Sequence, residues 1–240
     1  MNKIIIVGAS SGIGKELARL YADTDARIGL IGRREEKLKE LSRSNPEKYI
    51  YKTCDVSDTE LAAVCMNELT VELGGLDLLI ISAGTGELND NLDFRLEEST
   101  ILTNVLGWTH IMDWAYLFFQ NQGHGHLVNI SSVGGIRGDG VAPAYNASKS
   151  YQINYTEGIR KKVGKLRLPL FITDVRPGFV DTSMAKGDGL FWVATVEKAS
   201  RQIFRAIQQK RKIVYVTKRW RLIAGVLKLM PSWLYCKISF

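Results

Sequence analysis

The sequence predicts an α/β protein built on one doubly wound parallel sheet of about seven strands. Strand-length apolar runs alternate with helix-length segments along most of the chain, which is typical of repeated β-α-β units. Several runs are uninterrupted hydrophobic residues, as expected for strands that helices cover on both faces. The length of 240 residues suits one large domain and is short for two.

The predicted elements follow one another in a regular order. Strands are predicted at residues 3–7, 27–31, 49–53, 77–81, 126–130, 169–175 and 212–216. Helices are predicted at residues 12–23, 34–44, 58–73, 97–121, 144–163 and 195–209. Right-handed crossovers then place helices on both faces of the sheet. The composition changes only after residue 217, so we expect a main domain at 1–217 and a C-terminal tail at 218–240.

The composition excludes several classes of protein. The cysteines, Cys54, Cys65 and Cys236, form no CxxC pair, so a reducing, cytoplasmic setting is expected rather than a disulfide framework or a zinc site. The three histidines show no metal-binding spacing, and no metal is expected. The N-terminal apolar stretch is too short for a signal peptide, and no run approaches the roughly 18–20 apolar residues of a membrane span.

A glycine-rich turn joins the first strand to a helix. Gly8 permits the sharp turn, Gly12 lets the backbone approach a pyrophosphate, and Gly14 permits close packing of helix on strand. Free N–H groups at the helix N-terminus favour an anion. The order strand, GxxxGxG, helix predicts a dinucleotide site of the Rossmann type, although a structural turn also favours glycine. The loop residues expected to contact the cofactor are Gly8, Ser10, Ser11, Gly12, Ile13 and Gly14.

The residues after the second strand select between the nicotinamide dinucleotides. An enzyme that uses NAD(H) usually has a carboxylate here, but this chain has Arg33 and Arg34, with no acid before Glu35. Arg33 can bind a 2′-phosphate in a bidentate way, with help from Arg34. NADP(H) is therefore predicted in preference to NAD(H). The alternative is that the two arginines form the solvated start of a helix.

Two further strand ends carry candidate cofactor contacts. Asp55, next to Val56 after the third strand, can accept a hydrogen bond from an adenine amino group, or it can be a helix N-cap or turn residue. Ala83 and Gly84 follow the fourth strand, where their small size lets the chain pass beside a cofactor. All four residues are expected to line the cofactor.

A tyrosine and a lysine at the start of the predicted helix at 144–163 form the candidate catalytic pair. Tyr145 and Lys149 are four residues apart and share one helical face. The ammonium of Lys149 is expected to lower the pKa of Tyr145 from about 10, which suits the phenol to proton transfer. Ser132, just past the fifth strand, can hydrogen-bond a substrate oxygen that gains negative charge. A YxxxK pair alone is common on surface helices, so the combination carries the prediction.

Together these motifs resemble the short-chain dehydrogenase/reductase family over roughly residues 1–217. The matching residues are Gly8, Gly12, Gly14, Asp55, Ser82, Ala83, Gly84, Asn104, Ser132, Tyr145, Lys149, Pro177 and Gly178. The resemblance implies that Tyr145 is the general acid/base, that Ser132 orients the substrate, and that Lys149 also holds the nicotinamide ribose. It further implies a homodimer or a homotetramer.

The resemblance also assigns roles that the residues alone do not suggest. Asn104 would hold a water that links Lys149 to solvent as a proton relay. Pro177 and Gly178 would lie against the nicotinamide. The backbone of Val180 and the hydroxyl of Thr182 would hold its carboxamide.

A short segment after the sixth strand, residues 183–194, is expected to form a substrate lid. Met184, Leu190, Phe191 and Trp192 give it apolar area, so the substrate is expected to have an apolar, lipid-like part. The alternative is that these side chains only pack the lid onto the core. Arg137, in the loop before Tyr145, is expected to be an exposed loop charge, and the alternative is that it meets an anionic group.

The tail at 218–240 is basic and amphipathic. The chain has a net charge of +7, yet no acidic residue follows Glu197, whereas 11 of the 32 basic residues do. On a helical wheel the apolar residues between Arg219 and Pro231 cover about half of the circumference, with Arg221 and Lys228 opposite. Such a helix suits docking, either on a partner subunit or over the active site. It also suits peripheral contact with the inner face of a membrane.

The sequence therefore predicts an NADP(H)-dependent oxidoreductase that acts on a small-molecule carbonyl compound or secondary alcohol. The alternatives are a non-catalytic NADP(H)-binding regulatory protein and a membrane-surface protein. Nucleic-acid binding is not expected, because the basic residues of the tail are interleaved with a broad apolar face.

Overall fold

A computed structural model describes residues 2–185 and 191–237 of the chain. The strands are β1 (Asn2–Val7), β2 (Ala26–Gly32), β3 (Tyr49–Thr53), β4 (Leu78–Ile81), β5 (Gly125–Ile130), β6 (Leu170–Pro177) and β7 (Ile213–Val216). The α-helices are α1 (Gly12–Ala22), α2 (Glu35–Ser44), α3 (Thr59–Leu73), α4 (Phe94–Ile101), α5 (Trp108–Gln122), α6 (Pro143–Val163), α7 (Val196–Gln208), α8 (Trp220–Leu229) and α9 (Ser232–Tyr235). The strands form one parallel sheet in the order β3-β2-β1-β4-β5-β6-β7.

The predicted doubly wound sheet is confirmed, and all seven predicted strands are present with ends that shift by no more than two residues. The helix predicted at 97–121 differs most. It begins at Phe94, because the Asp93 carboxylate accepts a hydrogen bond from the Arg95 backbone N–H at 3.0 Å and caps the first turn. A π-helical segment, Leu102–Gly107, interrupts it between α4 and α5. Such segments are frequent at functional sites, and this one contains Asn104.

The sheet separates two hydrophobic cores, because successive residues of a strand face opposite sides. Ile4 and Ile6 of β1 pack with residues of α1 and α7 in the first core. Ile5 and Val7 pack with residues of α3, α5 and α6 in the second core. All four side chains are buried, which explains why β1 is an uninterrupted apolar run.

The candidate site residues meet at the carboxyl edge of the sheet. β1 pairs with β2 on one side and with β4 on the other, so the chain changes direction across the sheet between them. Open α/β sheets bind ligands in the crevice at such a switch point. A Cβ atom at Gly8 would lie 2.5 Å from the backbone nitrogen of Ala83, so the loops after β1 and β4 are in direct contact.

The C-terminal tail docks on its own domain. Trp220 and Ala224 of α8 are buried against Val133 and Phe179. The guanidinium of Arg137 donates to the Met230 carbonyl oxygen. The expectation that Arg137 is an exposed loop charge is therefore wrong, because the tail covers it.

None of the helices within residues 2–185 and 191–237 has the length and apolar composition that crossing a bilayer requires.

Candidate active site

The glycine-rich loop has the backbone geometry that its glycines predict. Gly8 (φ 87°) and Gly12 (φ 53°) lie in the left-handed region that favours glycine. A Cβ atom at Gly14 would lie 2.2 Å from the Gly8 carbonyl oxygen, so α1 can approach β1 this closely only without a side chain there. α1 begins at Gly12 with Ser11 as its N-cap, and its free N–H groups face this edge of the sheet. The loop therefore fits a pyrophosphate group.

Arg34, rather than Arg33, lies over the glycine-rich loop. Its guanidinium donates to Ser10 Oγ from Nε at 3.2 Å and from Nη2 at 2.9 Å, and Nη2 also donates to Ser11 Oγ. Arg33 turns towards Asp55, with Nη1 at 3.4 Å from Oδ2 and both side chains exposed. Arg33 was expected to be the main phosphate ligand and Arg34 its helper. The structure gives Arg34 the more direct position, because its side chain folds back across the loop.

Asp55 makes the turn interaction that is one of its two expected roles, and its contact with adenine stays a prediction. Its Oδ1 accepts hydrogen bonds from the Ser57 backbone N–H at 3.0 Å and from Ser57 Oγ at 2.8 Å, which is a turn interaction. Its Oδ2 faces Arg33. Burial raises the pKa of Asp55, but the Ser57 hydrogen bonds and the Arg33 charge outweigh it and hold the pKa below its usual range. The side chains of Val56 and Ile13 pack against the cores, so their backbones are what a cofactor could contact.

Tyr145 and Ser132 meet at the carboxyl edge of the sheet. Ser132 Oγ accepts a hydrogen bond from the Gly134 backbone N–H at 3.0 Å, which caps a short 3-10 helix. This oxygen lies beside the Tyr145 phenol, since a Cβ atom at Gly134 would lie 3.3 Å from Ser132 Oγ and 3.6 Å from Tyr145 Cε1. Gly86 closes the opposite side, since a Cβ atom there would lie 2.4 Å from Tyr145 Cδ2. Gly86 was not predicted, because nothing in the local pattern separates it from an ordinary loop glycine.

The pKa of Tyr145 differs from its expected direction. Burial raises the pKa because a phenolate is poorly solvated in this cleft, and the hydrogen bond with Ser132 only partly opposes this. Lys149 was expected to lower the pKa, but its Nζ lies 5.8 Å from the Tyr145 ring centroid and hydrogen-bonds other groups. A raised pKa favours the neutral phenol, which is the form that donates a proton.

Lys149 is a buried cation at the base of the cleft. Its side chain is only 3% exposed, and Nζ donates to the Ile130 carbonyl oxygen at 3.2 Å and to Gln152 Oε1 at 3.1 Å. Burial lowers the pKa of Lys149 to about 8, and the charge of Asp174 partly opposes this shift. A Cβ atom at Gly84 would lie 3.4 Å from Nζ, so this glycine leaves room for the ammonium.

Asn104 ties the loop after β4 to helix α6. Its Oδ1 accepts from the Thr85 backbone N–H at 2.9 Å, and its Nδ2 donates to the Thr85 carbonyl oxygen at 2.7 Å. Nδ2 also donates to Ser148 Oγ at 3.0 Å. The Asn104 side chain is thus fully engaged in holding this loop, and its main-chain carbonyl faces the lysine side of the site.

Gln152 links Lys149 to Asn104 and was not predicted as a site residue. Its Nε2 donates to the Asn104 carbonyl oxygen at 2.9 Å, while its Oε1 accepts from Lys149 Nζ. The side chain is fully buried. Gln152 follows Lys149 by three residues and shares its helical face. A polar residue on the inward face of α6 was the signal available in the sequence.

A buried ion pair lies behind Lys149. Asp174 accepts hydrogen bonds from Arg176 Nε at 2.6 Å and from Ser131 Oγ at 2.6 Å, and it has no exposed surface. The Arg176 side chain is 3% exposed. The available sequence signal was an acid and a base two residues apart in a largely apolar strand. Their position lets Asp174 favour the charged form of Lys149.

The segment after β6 faces the glycine-rich loop. Gly178 follows Pro177, and only glycine fits there because a Cβ atom would lie 2.0 Å from the Trp220 ring. The Val180 side chain is buried in the first core, so its backbone alone is free to face the cleft. Thr182 Cγ2 lies 3.2 Å from where a Gly12 Cβ would be, which brings the two sides of the cleft together.

The predicted lid is described only in part, because Leu190 lies outside the described residues. Phe191 contacts Trp220 of the tail, with ring centroids 5.2 Å apart, and Phe179 at 5.8 Å. Phe191 and Trp192 nevertheless remain 39% and 42% exposed. The lid side chains therefore pack partly on the protein and leave apolar surface at the mouth of the cleft.

The histidines and cysteines form no apparent metal centre. Within residues 2–185 and 191–237, no group of three or more His, Cys, Asp or Glu side chains is arranged to hold a metal ion. Cys54 and Cys65 are free and buried, and burial raises the pKa of Cys54 to about 12. His126 shares a hydrogen bond with Thr173 at 2.8 Å, and burial lowers its pKa to about 4.

Comparisons with known proteins agree with this geometry. The profile described as short chain dehydrogenase matches residues 2–189. An uncharacterized oxidoreductase of Mycobacterium tuberculosis is 34% identical over 190 residues, which cover 76% of this chain and 74% of that protein.

Solved structures share the fold. A short chain dehydrogenase from Burkholderia cenocepacia in complex with NADP has a TM-score of 0.84 and 19% identity, and the match covers 100% of this chain and 98% of that one. A short chain dehydrogenase/reductase from Burkholderia phymatum in complex with NAD has a TM-score of 0.84 and 18% identity, with 94% and 92% covered. At these identities the structures establish the shared fold alone.

Proposed function

Because the chain belongs to the short-chain dehydrogenase family, whose members are oxidoreductases, we propose that it transfers a hydride between NADP(H) and a carbonyl compound or secondary alcohol. One observation carries the proposal. Ser132, Tyr145 and Lys149 converge at the carboxyl edge of the sheet, beside the glycine-rich loop. A protein that only senses a dinucleotide needs the loop but not this convergence.

The chain's residues supply the proton chemistry, and the bound nicotinamide supplies or accepts the hydride. In the reductive direction, Tyr145 Oη donates its proton to the substrate carbonyl oxygen. Ser132 Oγ hydrogen-bonds the same oxygen and aligns it with the phenol. On the family resemblance, the ammonium of Lys149, held by Ile130 and Gln152, would hold the nicotinamide ribose. In the oxidative direction the same groups take the proton from the alcohol.

The residues around Arg34 favour NADP(H) over NAD(H). Its guanidinium, together with Ser10 and Ser11, forms a cluster of hydrogen-bond donors where a ribose 2′-phosphate would bind. Arg33 adds a second positive charge nearby. β2 ends at Gly32 with no carboxylate that would repel the phosphate.

The substrate is proposed to be small and partly apolar. Met184, Phe191 and Trp192 leave apolar surface at the mouth of the cleft. We assign the protein to a reducing compartment, the cytoplasm, in keeping with its free buried cysteines. A homodimer or homotetramer is proposed on the family resemblance, with exposed apolar residues such as Ile101 and Leu106 available for contact.

The test is turnover with a panel of ketones and aldehydes, from short to lipid-like, followed by NADPH absorbance. Tyr145→Phe should retain NADPH binding while kcat falls about 1,000-fold. Tyr151→Phe is the matched control, because Tyr151 lies on the same helix and hydrogen-bonds Thr109 instead. Undiminished turnover in Tyr145→Phe would refute the mechanism. NADPH binding without turnover on any carbonyl would favour the non-catalytic alternative.

A further inference from the structure

We propose that the C-terminal tail is a membrane-docking surface whose outward apolar side binds an anionic lipid bilayer. Docking there brings the mouth of the cleft to an apolar carbonyl substrate dissolved in lipid. The inference rests on the proposed function and names the phase from which its substrate comes.

Helix α8 has two apolar faces with opposite surroundings. Its inner face is buried, with Trp220 and Ala224 only 5% and 1% exposed. On the opposite side of the helix, Leu222, Val226 and Leu229 are 75%, 58% and 87% exposed. Their spacing of four and then three residues aligns them along the helix, and we call these three residues the outer stripe. Single exposed apolar residues are ordinary, whereas an aligned set of large ones marks an interaction surface.

The short helix α9 extends the apolar surface beyond α8. Trp233 is 67% exposed, and Lys237 Nζ lies 5.8 Å from its ring centroid. An amphipathic aromatic side chain beside a cation suits the headgroup level of a bilayer, where the ring contacts the acyl boundary and the cation stays in water.

The charge of the tail selects an anionic occupant. The tail carries five exposed cations and no acidic side chain; they are Lys218, Arg219, Arg221, Lys228 and Lys237. Each cation near an anionic lipid surface adds to the attraction between the tail and the bilayer. A second copy of the chain, meeting the same stripe by two-fold symmetry, would instead bring these like charges together. The lipid surface is therefore the better complement.

The inner face of the tail connects the docked surface to the cleft. Trp220 contacts Trp192 of the lid, with ring centroids 6.2 Å apart. Tyr235 Oη donates to the Gly138 carbonyl oxygen at 2.6 Å, and the Arg137 guanidinium lies 4.9 Å from the Tyr235 ring centroid. Arg137 and Gly138 lie in the loop that joins Ser132 to Tyr145 along the chain. A tail seated on lipid therefore holds Trp192, and the loop between Ser132 and Tyr145, near the bilayer.

The experiment is sedimentation of the full-length protein with vesicles of phosphatidylcholine, with and without phosphatidylglycerol. We expect binding at least tenfold tighter to the anionic vesicles, weakened by added salt. The double variant Leu222→Gln/Leu229→Gln should bind about 100-fold more weakly, because two exposed leucines no longer enter the apolar layer. Val71→Gln is the matched control, since Val71 is 80% exposed on α3, away from the tail, and should bind as wild type does.

Turnover measurements separate this inference from the proposed function. With a soluble ketone, the double variant should match wild type; with a long-chain ketone embedded in anionic vesicles, its rate should fall at least tenfold. Absence of turnover on every ketone would contradict the proposed function, while vesicle binding would still test docking.

Three results would overturn the inference. The first is wild-type protein that does not sediment with anionic vesicles, and the second is a double variant that binds them equally well. The third is a wild-type protein that is a dimer and a double variant that is a monomer, with neither protein binding vesicles. That result would make the outer stripe an interface between copies of the chain.

Discussion

Replacement of Arg34 by alanine tests the basis of cofactor choice. Its guanidinium already makes two hydrogen bonds to Ser10, at 3.2 and 2.9 Å, in the position where a 2′-phosphate would bind. Charge-assisted hydrogen bonds contribute about 1.5–3 kcal/mol each, and the lower end applies because the site is open to water. Two such bonds give about 3 kcal/mol, or about a 100-fold loss of NADPH affinity. NADH affinity should change by less than about twofold, because NADH lacks the phosphate.

Arg33→Ala is the matched control for this prediction. Arg33 is exposed and pairs with Asp55 at 3.4 Å, and exposed ion pairs contribute only about 0–1 kcal/mol. We therefore expect Arg33→Ala to weaken NADPH binding by no more than about fivefold. Titration of protein fluorescence with NADPH and NADH, together with kcat/KM for each, measures both variants. The reasoning is refuted if Arg33→Ala loses more NADPH affinity than Arg34→Ala, or if Arg34→Ala weakens NADH equally.

Three further predictions concern the proton-transfer site. Gly86→Ala places a methyl group 2.4 Å from the Tyr145 ring, so kcat should fall about 100-fold, whereas Gly138→Ala meets nothing within 4 Å and should leave kcat unchanged in steady-state assays. Gln152→Leu removes an acceptor from the Lys149 ammonium, so the alkaline limb of the pH–kcat profile should move to lower pH, and Gln152→Glu should move it to higher pH. If the alkaline limb lies at the same pH in wild type and in both variants, Gln152 has a purely structural role. Burial lowers the pKa of Lys149 to about 8 in the folded protein, whereas its pKa in the unfolded chain is about 10.4. Between these two pH values the unfolded chain binds more protons than the folded one, so wild-type stability rises with pH. The free energy of unfolding of Lys149→Met, measured in urea melts, should therefore exceed that of wild type by less and less as the pH rises across that range. A difference that stays constant with pH would contradict this.

Much of the fold was predictable because its signals are short-range. The apolar runs of β1 and β2 reflect strands buried on both faces, and their ends shift by only one residue from the predicted positions. The start of α4 was missed because its cap is Asp93, whose carboxylate accepts a hydrogen bond from the Arg95 backbone N–H in the first helical turn, and the preceding loop carries no apolar period. The π-helical segment around Asn104 had no sequence signal at all.

The sequence by itself determined the sheet, the glycine-rich loop and the alignment of Tyr145 with Lys149, because each depends on residue spacing within one element or one turn. Only the tertiary structure decided which arginine faces Ser10, which group links Lys149 to Asn104, and which side of the tail is buried. The Arg34–Ser10, Gln152–Asn104 and Arg137–Met230 contacts join residues 24, 48 and 93 positions apart. Such contacts, and the burial that raises the pKa of Tyr145, arise from packing between segments, which no local period records.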